Sequence, residues 1–256
     1  RIAGIAAPMM KHLHLELGGK DAFVLAPDAD LDSAVEALAY AALINAGQVC
    51  TSTERVFVPA DRRDDFAEAV AARVRELRLG PGLEPDVDVG PLIADRFRGK
   101  VERHVEEAVS RGARVVAGGR RPEGRERGYF YEPTVLVDVE DDMVIMQEET
   151  FGPAIPIASY GSFDEAIARV NAHPAGLGAV LRSGDPALVK RFADEVSVGT
   201  VWINDPLTDN YAGPFGGMKM TGGGRELGVE GLESFLETKH VHWDLSQAPK
   251  DWWYPY

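Results

Sequence analysis

The chain has 256 residues, 45% of them hydrophobic, with a formal net charge of −14 and one cysteine. That balance supports a globular core and excludes the clustered Lys and Arg of a nucleic-acid surface. It also excludes an internal disulfide framework, which suits a reducing, cytoplasmic setting, and no apolar run approaches the roughly 20 residues of a membrane-spanning helix.

Ile2, Ile5, Ala6 and Met9 or Met10 keep helical spacing from the first residues. The chain is therefore expected to open inside a helix and to be a fragment of something longer. Leu13, Leu15 and Leu17 alternate with His12, His14 and Glu16, which predicts a strand. Gly18 and Gly19 break it before Phe23-Val24-Leu25 resumes extended structure. Asp30 is placed as an N-cap, with Leu31, Val35, Leu38 and Ala42 on one helical face. That helix ends near Asn45-Ala46-Gly47, and Arg55-Val56-Phe57-Val58 reads as the next strand. Helical stripes follow at Phe66, Val70, Val74 and Leu77, stopped by Gly80-Pro81, and at Phe97, Val101, Val105 and Ala108. A short strand is expected over 113–117. Ser162 and Glu165 form a capping box for a helix carrying Ile167 and Val170, and Asp185 with Pro186 opens another. Strands are predicted over 177–182 and 198–204. The glycine-rich stretch 213–224 is expected to be a hinge and a boundary, followed by a helix over 226–236 and an extended segment over 236–243. Strands alternating with helices predict an α/β fold with a largely parallel sheet.

Two residues stand out chemically. Cys50 has Gly47 before it and Thr51 and Ser52 after it, which leaves room for a substrate to approach a sulfur nucleophile. A lone cysteine also serves as a small buried hydrophobe. Glu16 ends an apolar run beside two glycines, where a partly desolvated carboxylate can act as a general base. It can equally face water from an edge or pair with Lys20. The i, i+2 pairs His12/His14 and His240/His242 lack the further ligands of a metal site, and none is expected. Gly222-Gly223-Gly224 lacks the Gly-Lys-Ser/Thr ending of a phosphate-cradling loop.

Five segments in order resemble the aldehyde dehydrogenase superfamily across nearly the whole chain: Glu16-Leu17-Gly18-Gly19-Lys20, Gly47-Gln48-Val49-Cys50, the run from Gln147 to Pro153, the run from Pro214 to Lys219, and Gly224-Arg225-Glu226-Leu227-Gly228. Glu16 and Cys50 fall 34 positions apart, the separation usual for that family. The resemblance implies a three-layer αβα catalytic domain with a mainly parallel sheet over 19–220. Residues 1–18 would end a cofactor-binding domain, and 221–256 would return to that domain and add an oligomerisation strand and tail.

It also implies that Cys50 attacks an aldehyde, that hydride passes to NAD (NADP possible), and that Glu16 activates the water that hydrolyses the thioester. The presence of Glu16 favours a free acid over transfer to coenzyme A. The family pattern places the backbone of Leu17 and Gly18 at the carboxamide, Glu149 on the nicotinamide ribose and Phe151 against the ring. Val49, Thr51 and Phe215 would line the substrate tunnel, with 205–213 at its mouth. The partners implied are a small aldehyde and further copies of the chain, as a homodimer or homotetramer joined by strand addition over 236–243 and by the aromatic tail 251–256.

Several features depart from the pattern. The family's Gly-Ser-Thr-x-x-Gly turn and its oxyanion asparagine lie upstream of Arg1, Phe97 stands where a polar residue is common, and Thr221 replaces a usual serine. The chain alone is therefore expected to hold NAD poorly. Two other readings remain, a cofactor-independent thiol esterase and a non-catalytic fragment with a structural or oligomeric role.

Overall fold

Several strands carry continuous apolar runs rather than alternation, because they are covered on both faces. The structure, a computed structural model, describes residues 1–125 and 127–253; Tyr254-Pro255-Tyr256 of the aromatic tail lies outside them. The elements in chain order are α1 (Ile2–Ala6), β1 (Asp21–Leu25), α2 (Leu31–Leu43), β2 (Thr53–Pro59), α3 (Arg63–Arg75), α4 (Asp95–Ser110), β3 (Arg114–Ala117), β4 (Thr134–Val137), α5 (Val144–Gln147), β5 (Ala154–Tyr160), α6 (Phe163–Ala172), β6 (Ala175–Gly176), β7 (Gly178–Arg182), α7 (Pro186–Glu195), β8 (Thr200–Ile203), β9 (Met218–Lys219) and α8 (Gly228–Glu233).

Seven strands form one sheet in the order β3-β4-β5-β2-β1-β7-β8. Every neighbouring pair is parallel except the edge pair β3–β4. Side chains alternate between faces along each strand, so consecutive residues of β1 serve different layers. Phe23 and Leu25 join Val56, Val58, Ile155 and Ile157 beneath α2 and α3. Ala22 and Val24 join Phe57, Ala158 and Leu181 beneath α4, α6 and α7. This is the expected three-layer αβα architecture. Among the described residues no helix is long and apolar enough to cross a membrane.

Local signals account for the helix starts. Asp30 accepts the Ser33 N–H at 2.9 Å, and Asp185 accepts the Ala187 N–H at 2.8 Å ahead of Pro186. Ser162 accepts the Glu165 N–H at 3.2 Å, but the Glu165 carboxylate reaches back to Gly161 at 2.9 Å rather than to Ser162. The reciprocal box therefore closes one residue early.

Three expectations are corrected. Residues 11–20 form no sheet strand; the N–H groups of Leu15 and Leu17 instead donate to the carbonyls of Gly223 and Thr221, each at 2.8 Å. The glycine-rich stretch is thus a docking surface for the Glu16 segment, not a hinge. A Cβ on Gly222 would lie 2.3 Å from the Leu15 carbonyl oxygen, and its φ of +113° belongs to glycine. The helix expected over 226–236 shortens to α8. Val229, Leu232 and Phe235 stand exposed there.

Gly222→Ala is expected to push the Leu15–Gly223 contact apart and to cost about 1 kcal/mol or more, since its backbone suits no side chain. A thermal melt would show a lowered midpoint; an unchanged midpoint contradicts the docking role.

Candidate active site

Parallel pairing brings the conspicuous segments together at one edge of the sheet. Residues 16–20 lead into β1, 47–52 into β2, and 147–152 towards β5, and these strands are neighbours in the order β5-β2-β1. The site therefore lies at the amino ends of the strands. β1 and β2 pair in parallel, Asp21 opposite Thr53 and Ala22 opposite Arg55, with an irregularity in register between them, so the segments that precede the two strands lie side by side.

The nucleophile loop leaves the C-terminal end of α2 through a left-handed turn. Asn45, Ala46 and Gly47 have φ of 51°, 57° and 72°, and for alanine that conformation is strained. Reciprocal bonds hold it: the Asn45 amide donates to the Gln48 carbonyl, and the Gln48 amide donates to the Asn45 carbonyl, both at 3.0 Å. The Gln48 Oε1 accepts the Ile93 N–H at 2.9 Å. A Cβ on Gly47 would lie 2.4 Å from the Gly152 carbonyl oxygen, so the loop rests directly on the segment entering β5. Ser52 Oγ donates to the α2 carbonyls of Ala41 and Ala42 at 3.3 Å. Cys50 emerges half-buried between these supports.

The Glu16 segment lies across the same edge. A Cβ on Gly19 would lie 3.2 Å from the Cys50 carbonyl oxygen, and one on Gly18 would lie 2.6 Å from Glu149 Oε1. The Glu16 segment thus passes between the Cys50 loop and Glu149, and the φ of +84° at Gly18 suits glycine. Glu16 is half-buried, and its Oε1 accepts the Gly18 N–H at 3.1 Å.

Burial pushes the Cys50 thiol up to about 11, with the negative charges of Glu16 and Asp21 adding to it. The N–H groups of Thr51 and Cys50 favour the thiolate but do not offset this. The sulfur is thus placed as a nucleophile needs, yet it is protonated at neutral pH. Burial also raises Glu149 above the ordinary carboxylate range, with the charge of Glu54 contributing.

The structure thus brings Cys50, Glu16, Gly18 and Glu149 together. Val49 is half-buried beside the sulfur and Thr51 is buried. Leu17 is 62% exposed on the rim. Phe151 is half-buried with φ 55° and lines an open cleft of about 670 Å³ with Asn45, Gln48, Ile93 and Tyr129. Phe215 stands apart on the glycine-rich segment, where its backbone exchanges two bonds of 2.7 Å with Glu226. Among the described residues no group of histidine, cysteine, aspartate and glutamate could hold a metal ion.

Sequence reasoning missed a buried polar network beneath the site. Lys20, Glu54, His104 and Thr150 are each under 5% exposed. Lys20 Nζ donates to Glu54 Oε2 at 2.5 Å and to Thr150 Oγ1 at 3.2 Å. Glu54 also accepts the N–H groups of Thr150 at 2.6 Å and Phe151 at 2.7 Å. His104 Nδ1 stands 3.1 Å from Thr150 Oγ1. Burial holds that ring neutral, its pKa down to about 4. Arg55 Nε donates to the Lys20 carbonyl at 2.8 Å. A signal was present: Lys20 and Glu54 are 34 residues apart, the same offset as Glu16 and Cys50.

Comparison with known proteins agrees with this fold. A model described as the aldehyde dehydrogenase family matches residues 1–241, and the chain belongs to that family. It is 39% identical over 254 residues to the betaine aldehyde dehydrogenase of Bacillus subtilis, covering 98% of this chain and 52% of that protein. It is also 39% identical over 240 residues to a succinate-semialdehyde dehydrogenase [NADP(+)] of Mycobacterium tuberculosis, covering 94% and 52%. The solved structure of Staphylococcus aureus betaine aldehyde dehydrogenase in complex with NAD+ superposes with a TM-score of 0.93 at 36% identity, over 99% of this chain and 50% of that one. The chain spans about half the length of the curated relatives it matches.

The rate of Cys50 alkylation by iodoacetamide is expected to climb with pH toward a midpoint near 11. Replacing Glu16 by Gln removes a negative neighbour and should move that midpoint down. A midpoint in the ordinary thiol range, unmoved by the substitution, contradicts the shared environment.

Proposed function

We propose that this chain carries the catalytic half of an NAD(P)-dependent aldehyde dehydrogenase that converts an aldehyde to the carboxylic acid. One observation carries the reading: the Glu16 segment is laid against the Cys50 loop, with a Cβ on Gly19 only 3.2 Å from the Cys50 carbonyl oxygen and the Glu16 charge acting on the Cys50 thiol. The Cys50 sulfur bonds to the aldehyde carbon as its proton passes to the nearby carboxylate, and the backbone N–H of Cys50 serves the resulting oxyanion. A bound nicotinamide dinucleotide supplies the hydride acceptor that turns the adduct into a thioester. Glu16, having released the thiol proton to solvent, then takes a proton from water, whose oxygen attacks the thioester carbon; the C–S bond breaks, the carboxylic acid leaves, and Glu16 passes its proton to the departing sulfur.

The residues present fit the nicotinamide end of such a cofactor. Leu17 stands exposed on the rim with Gly18 half-buried beside it, Glu149 offers a half-buried carboxylate, and Phe151 an aromatic wall on an open cleft. Relatives named for NADP and a relative in complex with NAD+ support either dinucleotide, with NAD the expectation. Val49, Thr51 and Phe215 are proposed to line the aldehyde path. Residues 1–18 and 221–256 pair with each other outside the sheet built by 19–220, which supports the division into three units. Exposed Phe235, Trp243, Trp252 and Trp253 support a homo-oligomeric interface in the 221–256 unit.

In a form extended at its N-terminus to full family length, NADH formation from aldehydes is expected to be lost at least about a thousandfold in Cys50→Ser. Cysteine-dependent hydrolysis of p-nitrophenyl acetate, with no NADH from any aldehyde, would replace this reading by a thiol esterase. Isothermal titration of the 256 residues alone with NAD should show no micromolar binding; micromolar affinity contradicts the need for the other half.

A further inference from the structure

Beneath the site, one carboxylate holds all three segments at once. Glu54 points inward from β2, four residues beyond Cys50. Its Oε2 receives Lys20, the residue that ends the Glu16 segment, and the Thr150 N–H; its Oε1 receives the Phe151 N–H. Phe151 has φ 55°, a conformation uncommon for a bulky residue. Such a backbone persists only where its surroundings over-determine it. The two neighbouring N–H groups, both turned onto one buried anion, are what hold it.

We propose that Glu54 is a positioning residue for the cofactor-side loop: its buried carboxylate, neutralised by Lys20, clamps the Thr150 and Phe151 amides and so sets where Glu149 and Phe151 present themselves to the nicotinamide half of a dinucleotide. The inference rests on the dehydrogenase reading for its ligand but not for its geometry. Glu54 makes no contact with reacting atoms; it acts through the loop. Thr150 completes the clamp, because its hydroxyl takes a second Lys20 bond and is itself held by His104. The Glu149 carboxylate rests on Gly18, so a shift of the loop would move the carboxylate away from the base segment as well.

The clamp separates two reactions that share Cys50. Ester hydrolysis needs the sulfur and Glu16. Aldehyde oxidation needs, in addition, the Glu149–Phe151 loop in register. In Glu54→Gln, an amide NH2 faces a backbone N–H where an oxygen stood, and Lys20 loses its counter-charge. Hydrogen exchange at the Thr150 and Phe151 amides is expected to accelerate about tenfold or more, while the β1 and β5 core amides keep their protection. In the N-terminally extended form, the KM for NAD should rise about ten- to hundredfold and NADH formation should fall, with ester hydrolysis of p-nitrophenyl acetate changing far less. Glu54→Asp, which keeps the charge but shortens the reach by one methylene, should show the same split at smaller size. It replaces the Gln variant if that one does not fold. Unchanged amide exchange with unchanged NAD parameters overturns the proposal. So does a proportional loss of both reactions, which would make Glu54 a general fold residue. If the parent hydrolyses esters but oxidises no aldehyde, the dehydrogenase reading fails and the clamp is judged by exchange at the two amides alone.

Discussion

A lysine and a glutamate removed from water together constrain everything around them. Taking both charges out of solvent carries a desolvation cost that their attraction offsets only if the remaining donors and acceptors are also satisfied. Here they are: the Lys20–Glu54 pair is completed by two backbone N–H groups and a threonine hydroxyl. Pairs of this kind add little net stability compared with an apolar replacement, yet removing one partner costs about 3–5 kcal/mol. Their effect is on arrangement. The cofactor-side loop cannot shift away from the strand that follows Cys50 without stripping two N–H groups from a buried carboxylate.

The sheet places that pair. β1 and β2 run parallel, and the segments entering them set Lys20 beside Glu54 and, four residues earlier on each, Glu16 near Cys50. Open α/β sheets commonly hold ligands at the carboxyl ends of their strands; here the reacting groups gather at the amino ends. The nucleophile loop consequently leaves the C-terminal end of α2, where a helix dipole is negative and does nothing to favour a thiolate. Burial and two carboxylates push in the same direction.

Much of the scaffold could be read from the chain. Apolar runs such as Phe23-Val24-Leu25 and caps such as Asp30 and Asp185 act locally, through neighbours only a few residues away. Cys50 and Glu16 could be singled out as reactive types, but their partnership came from motif resemblance rather than from periodicity. The glycine-rich stretch was misread because composition cannot distinguish flexibility from close approach; its glycines exist to let Leu15 and His14 come near. The Lys20–Glu54–Thr150 network stayed hidden because its bonds span 34, 96 and 130 residues. A lysine and a glutamate in a soluble protein are normally read as solvated.

The central claim is that Glu16 releases what Cys50 has bound, and intact-mass analysis after mixing with an activated ester tests it directly. The account predicts that the acyl adduct on Cys50 is transient in the parent and accumulates to one equivalent when Glu16 is replaced by Gln. An adduct that decays at the same rate in both proteins would contradict it.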